Sequence, residues 1–262
     1  MLRYGTILLS AIAGALFARE RRRRVNMQRF GAATLETLLD AIDANSPETG
    51  AHVRRVASYS LILADAADLA EEECHEIERI ALFHDVGKLD GAVSDIVAGS
   101  KKLTPAEMRS IRTHPQRGAD VLRPLDPFYP KLSEGVLAHH ERWDGTGYPR
   151  GLKQLEIPLT ARVVAIADTF DAMTHARHYS HAKSLEAAAD VIARGRERQF
   201  DPELVDLFLS PPVLEEIARA MRSAHSPRRR GDKPRNPSAR HFAPDIKFRW
   251  RTQAHAQRRE DR

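Results

Sequence analysis

Nowhere in the 262 residues does an alternating run of β-branched and polar residues appear; what recurs is the start of a helix. Ser46-Pro47, Thr104-Pro105 and Asp201-Pro202 each set a side-chain oxygen before a proline. That pairing supplies an N-cap acceptor and a preset φ at the first helical position. Glu107, three residues after Thr104, completes a capping box. Apolar residues then return at helical spacing, as at Leu35, Leu38, Leu39 and Ile42. The spacing predicts helices over about 32–44, 47–69, 71–83, 105–122, 131–141, 159–174, 184–194, 203–209 and 211–222. The expected fold class is all-α.

Charge divides the chain. Residues 222–262 carry 13 Lys/Arg against 4 Asp/Glu, and residues 1–24 carry 6 Arg against 1 Glu. The +5 of the whole chain therefore leaves residues 25–221 acidic, at −9, so no DNA binding is expected of them. Beyond Arg222 apolar periodicity is lost, and residues 223–262 read as a disordered basic tail. Residues 4–18 are apolar and are followed by five arginines in 19–24. Fifteen helical residues span only ~22 Å, short of a ~30 Å hydrocarbon core. Residues 1–24 are thus a candidate membrane anchor, with the arginines favouring a cytoplasmic location for residues 25–222. The single cysteine, Cys74, excludes an internal disulfide and fits a reducing compartment.

Metal-capable side chains gather at helix ends. His84-Asp85-Val86-Gly87-Lys88 follows the amphipathic stretch 71–83, with Gly87 expected to end that helix. Glu48 and His52 lie one turn apart; His114, His139, His140 and Asp168 fall on or beside other expected helices. Adjacent His139 and His140 cannot reach one metal from regular helix geometry; they could bind different metals of a multinuclear site. Asp85 can bridge two metals through its two oxygens. Mixed imidazole and carboxylate donors suit Mn, Fe, Zn or Ni better than Ca or Mg. Two such ions ~3.5–4 Å apart activate a bridging water and clamp an in-line displacement at phosphorus, which makes phosphoester hydrolysis the natural chemistry.

The run His139-His140-Glu141-Arg142-Trp143-Asp144-Gly145-Thr146-Gly147-Tyr148-Pro149 carries a resemblance. So do 49–56, 84–88, His114-Pro115 with Gly118, 167–174 and 199–205. In these blocks the chain resembles an HD-GYP domain, a branch of the HD phosphohydrolase superfamily, over about residues 32–210. The resemblance implies an HD-domain-like helical bundle that hydrolyses cyclic di-GMP to pGpG, and in some members to GMP. It also implies two or three divalent metals, often iron or manganese. Carried over residue by residue, it makes His52, His84, Asp85, His114, His139, His140 and Asp168 ligands, with Glu48 suggesting a third metal. Lys88 and Asp85 become the catalytic groups, and Lys88, Tyr148 and Arg177 the substrate contacts. Expected partners are a diguanylate cyclase at the loop 139–149, a membrane at the N-terminus, and a second copy of the chain.

The departures lie at His178-Tyr179-Ser180, where the family's pattern is Pro-Tyr and a basic residue, and at residues 90–102, which lack the usual Ile-Pro-Asp-like run. Two rivals follow: a cyclic di-GMP receptor without catalysis, and an HD phosphohydrolase acting on another nucleotide. His175, His178 and His181 are expected to be solvated at a helix end.

Overall fold

The computed structural model describes residues 2–89, 104–175 and 182–224. Arg177, the 178–180 departure, the segment 90–102 and the basic tail from residue 225 lie outside the described residues. The helices are α1 (Leu2–Asn45), α2 (Pro47–Ala66), α3 (Glu71–Phe83), α4 (Pro105–Ile111), α5 (His114–Leu122), α6 (Leu132–Ala138), α7 (Leu159–Thr174), α8 (Leu185–Arg194), α9 (Pro202–Phe208) and α10 (Pro211–Ala224). The fold is all-α; among the described residues the only β pairing is an isolated bridge between Arg196 and Phe200.

The chain divides into two units, Met1–Leu38 with Arg229–Arg262, and Leu39–Arg228. In the first, the helix expected from residue 32 begins instead at Leu2 and runs through the arginine block without a break. Neither glycine nor proline interrupts residues 15–30, and arginine is a strong helix former. Among the described residues no helix is long and apolar enough to cross a membrane.

In the second unit the punctuation read from the sequence works as expected. The Ser46 hydroxyl accepts from the Thr49 amide at 3.1 Å, with Pro47 opening α2. Thr104 and Glu107 exchange capping-box hydrogen bonds at 3.2 and 2.7 Å. Asp201 caps α9, accepting from the Glu203 amide at 2.9 Å. The expected helix 105–122 is two helices, because Arg112 and Thr113 form a turn that leaves Pro115 in the first turn of α5, where its missing N–H is harmless.

Helix α2 is the central element, packed against α3, α7, α9 and α10. Its Val53, Val56, Tyr59 and Leu63 are buried with Ile77, Ile80 and Phe83 of α3 and Val163, Ile166 and Phe170 of α7. Phe170 meets Tyr59 and Phe208 edge-on, at ring separations of 5.5 and 5.3 Å. Each such side chain removed from water contributes about 1.5–3 kcal/mol. The second packing group joins α5, α6 and the 3₁₀ turn Val86–Leu89 that follows α3.

Gly87 acts differently from the expectation. Helix α3 already ends at Phe83, and Gly87 sits inside the 3₁₀ turn against the backbone of α5. A Cβ there would lie 2.1 Å from the His114 carbonyl oxygen and 2.6 Å from the Gly118 nitrogen. The glycine permits a backbone-to-backbone approach that brings His84-Asp85 to His114. Gly87→Ala is expected to destabilise the fold by about 1–3 kcal/mol through overpacking. Urea unfolding checks this, and an unchanged midpoint would refute the close contact.

Candidate metal centre

Five helices aim seven side chains at one buried spot. His52 comes from α2, His84 and Asp85 from the end of α3, His114 from the start of α5, His139 and His140 from the end of α6, and Asp168 from mid α7. His84, His114 and His139 are essentially inaccessible, and His52 and Asp85 are buried. His140 and Asp168 are half-buried, as are Lys88 and Tyr148, so the opening lies on their side.

Two donor groups are built there, each with ligand atoms mutually within 4.8 Å: His52, His84 and Asp85 in one, His114, His139 and His140 in the other. Asp85 faces both. Its Oδ2 lies 3.8 Å from His52 Nε2 and 3.5 Å from His84 Nε2, while its Oδ1 lies 3.4 Å from His114 Nε2. Asp168 Oδ1 joins the first group, 3.3 Å from His52 Nε2 and 3.8 Å from His84 Nε2. In the second group His114 Nε2 and His139 Nε2 are 3.1 Å apart.

The far-side ring nitrogens of four of the five histidines are held. His84, His114 and His139 each set Nδ1 against the carbonyl three residues earlier: Ala81 at 2.8 Å, Ile111 at 2.7 Å and Val136 at 2.5 Å. A carbonyl accepts only, so Nδ1 donates and Nε2 keeps its lone pair. His52 Nδ1 instead meets Asp171 Oδ2 at 2.6 Å. The inward Nε2 atoms of His52 and His84 are buried without a hydrogen-bond partner of acceptable geometry. Inward imidazole nitrogens without partners, beside ionised carboxylates, are what a divalent cation needs, and the residues fit one.

The charge states agree. Burial pushes His84 and His139 down, in His139 with help from His140, and takes His140 down to about 3. Burial pushes the Asp85 and Asp168 carboxyls up, but neighbouring histidines, joined at Asp85 by Lys88, outweigh it and hold both well below the usual range. Burial also pulls His52 down, and here the carboxylates of Asp168 and Asp171 win, raising it to about 9. A cation entering the first group therefore displaces a proton from His52.

Several sequence expectations need revision. Because α6 stops at Ala138, His139 and His140 sit in the turn beyond it, where helical spacing no longer separates them; both point into one donor group, with rings 4.1 Å apart. Glu48 is exposed in the first turn of α2 and stands outside both groups. Lys88 Nζ lies 2.8 Å from each Asp85 oxygen. Tyr148 stacks 4.9 Å from the His140 ring. His175 is not solvated: its Nδ1 lies 2.9 Å from Asp171 Oδ1, with the side chain 14% exposed.

The sequence reading missed Asp171. This carboxylate is 1% exposed and takes a two-pronged Arg55 guanidinium at 2.7 and 2.9 Å besides the two histidines. It also missed Glu141, buried beside the ligands. Glu141 accepts from the Arg150 and Leu152 amides at 2.7 and 3.1 Å and so closes the loop 139–149. That loop is fastened at Trp143 and Asp144, whose amides donate to the Gln199 and Arg198 carbonyls at 3.2 and 2.8 Å. Arg162 pairs with Asp201 and lies over the Trp143 ring. Asp144 accepts from the Thr146 amide at 3.0 Å as a turn former. Gly147 has no room for a Cβ, which would lie 2.4 Å from the Arg142 nitrogen.

A family model described as HD domain matches residues 36–204. The chain is 39% identical over 178 residues to the cyclic di-GMP phosphodiesterase response regulator RpfG of Xanthomonas campestris, covering 67% of this chain and 47% of that one. It is 36% identical over 187 residues to 3'3'-cGAMP-specific phosphodiesterase 2 of Vibrio cholerae, covering 71% and 35%. The chain thus spans between about a third and a half of these relatives' lengths. Among solved structures, an HDG"Y"P protein from Bdellovibrio bacteriovorus shares the fold, with a TM-score of 0.53 at 17% identity, over 73% of this chain and 62% of that one.

Asp171→Asn keeps the shape of the side chain and removes the charge that orients His52 and Arg55. It is expected to weaken one of two bound divalent ions about 10–100-fold while the other stays in place. Competition with a metal-chelating dye measures both; equal weakening of the two ions, or of neither, would refute the assignment.

Proposed function

This chain belongs to the HD domain family, and on that premise we propose that it is a metal-dependent phosphodiesterase whose substrate is cyclic di-GMP. The observation that carries the reading is the carboxylate of Asp85, set between two groups of buried imidazoles whose lone pairs face inward. Residues 25–222 form the catalytic domain in this reading.

His52, His84, Asp85 and Asp168 would hold one cation and His114, His139, His140 and Asp85 the other. Such a pair supplies a water acidified to near neutral pH and positive charge against the phosphate oxygens. Iron or manganese suits this mixture of imidazole and carboxylate. The described residues build two donor groups, which supports a count of two ions.

The chain's own residues do the rest. Lys88 Nζ, fixed on Asp85 and 22% exposed, offers a positive charge to a non-bridging oxygen of the scissile phosphate. The three carbonyl-held histidines keep their donor nitrogens aimed without rearrangement, which spares reorganisation when charge develops. Tyr148, against the His140 ring, forms the wall on which the dinucleotide lies. The 36% identical relative named for 3'3'-cGAMP supports a second reading that differs only in one base of the substrate.

The test is hydrolysis by anaerobically purified protein loaded with iron or manganese, given cyclic di-GMP and 3'3'-cGAMP side by side. Chromatography should show pGpG, or GMP, from cyclic di-GMP. His84→Ala, which removes a ligand outright, should cost more than the ~100-fold typical of losing a residue behind a ligand. Metal-replete protein that binds cyclic di-GMP normally and leaves it intact would sink the proposal; faster cleavage of 3'3'-cGAMP would select the second reading.

A further inference from the structure

The arginines around the loop 139–149 are mostly committed. Arg142 contacts Asp144 and Thr146, Arg150 contacts Glu134, Arg162 contacts Asp201, and Arg55 contacts Asp171. Arg112 is the exception. It sits in the turn between α4 and α5, two residues before His114, and its side chain is exposed. Among the described residues it has no carboxylate partner; its guanidinium lies over the Tyr148 ring, 5.2 Å from the centroid. Tyr148 lies in turn against His140.

Stacking on an aromatic face fixes the plane of a guanidinium and leaves its N–H edge free. A fixed, unpaired edge of that kind matches the oxygens of a phosphate, which it grips with two parallel hydrogen bonds. The opening nearby carries the half-buried carboxylate of Asp168. Lys88 is held inside on Asp85, suited to the phosphate being cleaved. A cyclic dinucleotide carries a second phosphate that does not react, and a mononucleotide diester does not.

We propose that Arg112, braced on Tyr148, binds the second, non-reacting phosphate of a cyclic dinucleotide and so selects two-phosphate rings over simple phosphodiesters. This rests on the hydrolase reading above. The experiment uses the full, metal-loaded chain with cyclic di-GMP and with bis(4-nitrophenyl) phosphate, a diester with a single phosphate. Arg112→Ala should raise KM for cyclic di-GMP about tenfold or more, the worth of one lost charge-assisted pair, with kcat changing far less. The rise for bis(4-nitrophenyl) phosphate should be under about twofold, a difference that a general loosening of Tyr148 would not produce. Arg112→Lys, which keeps the charge and loses the stacked fork, should fall between the two.

An equal rise in KM for both substrates, or a fall in kcat alone, overturns the proposal. If the wild type binds cyclic di-GMP without cleaving it, the hydrolase reading fails and the Kd ratio between wild type and Arg112→Ala decides on Arg112. A wild type that binds no cyclic dinucleotide while cleaving the simple diester overturns the role of Arg112 and the substrate, leaving the phosphodiesterase chemistry standing.

Discussion

A carboxylate ionised inside a helical bundle is the constraint around which this molecule is arranged. Asp85 is 6% exposed, and burial alone would drive it to the neutral acid. It stays charged because Lys88 touches both oxygens and imidazoles face it from both sides. Leaving such a charge unpaired in the interior would cost several kcal/mol. The packing that brings α3, α5 and α6 together therefore answers an electrostatic demand as well as an apolar one. Gly87 is part of that answer, since only a backbone without a Cβ lets the turn carrying Asp85 reach the first turn of α5.

Helix ends are suited to this work. The last carbonyls of a helix have no partner within it. In α3 and α6 those carbonyls accept from the ring of a histidine just beyond the last turn, so one hydrogen bond satisfies an orphan acceptor and sets a tautomer. The same link recurs at His114, whose partner Ile111 closes α4. A bundle that ends several helices at one place thus collects oriented imidazoles there, and the loop 139–149, pinned by Glu141 and by the 198–199 backbone, provides the wall next to them.

How much of this could be read from the sequence depended on distance along the chain. Caps and periodicity are local, so α3 and α7 emerged to the residue and the starts of α2, α4 and α9 followed from Ser46, Thr104 and Asp201. Where a helix stops is less local. Apolar spacing could not distinguish one helix from two at Arg112-Thr113, nor show that α6 ends before His139, and so it set apart two adjacent histidines that the fold places in one donor group. The ligand types and their order were legible because each stands beside punctuation. Asp171 was not, since its meaning lies in His52, 119 positions away, and in Arg55, 116 away. Glu48, one turn from His52, lies on the exposed side of α2 and outside both donor groups, so its spacing alone did not place it with them.

The histidines are oriented in two ways, and the two are unequally exposed to genetic change. Three are steered by main-chain carbonyls, which every substitution at Ala81, Ile111 or Val136 would preserve. His52 alone is steered by a side chain, and a single base change in the codon for Asp171 can delete its guide. As copies of this chain drift, wear in the centre should therefore begin at the His52 end, with the α5–α6 histidines outlasting it.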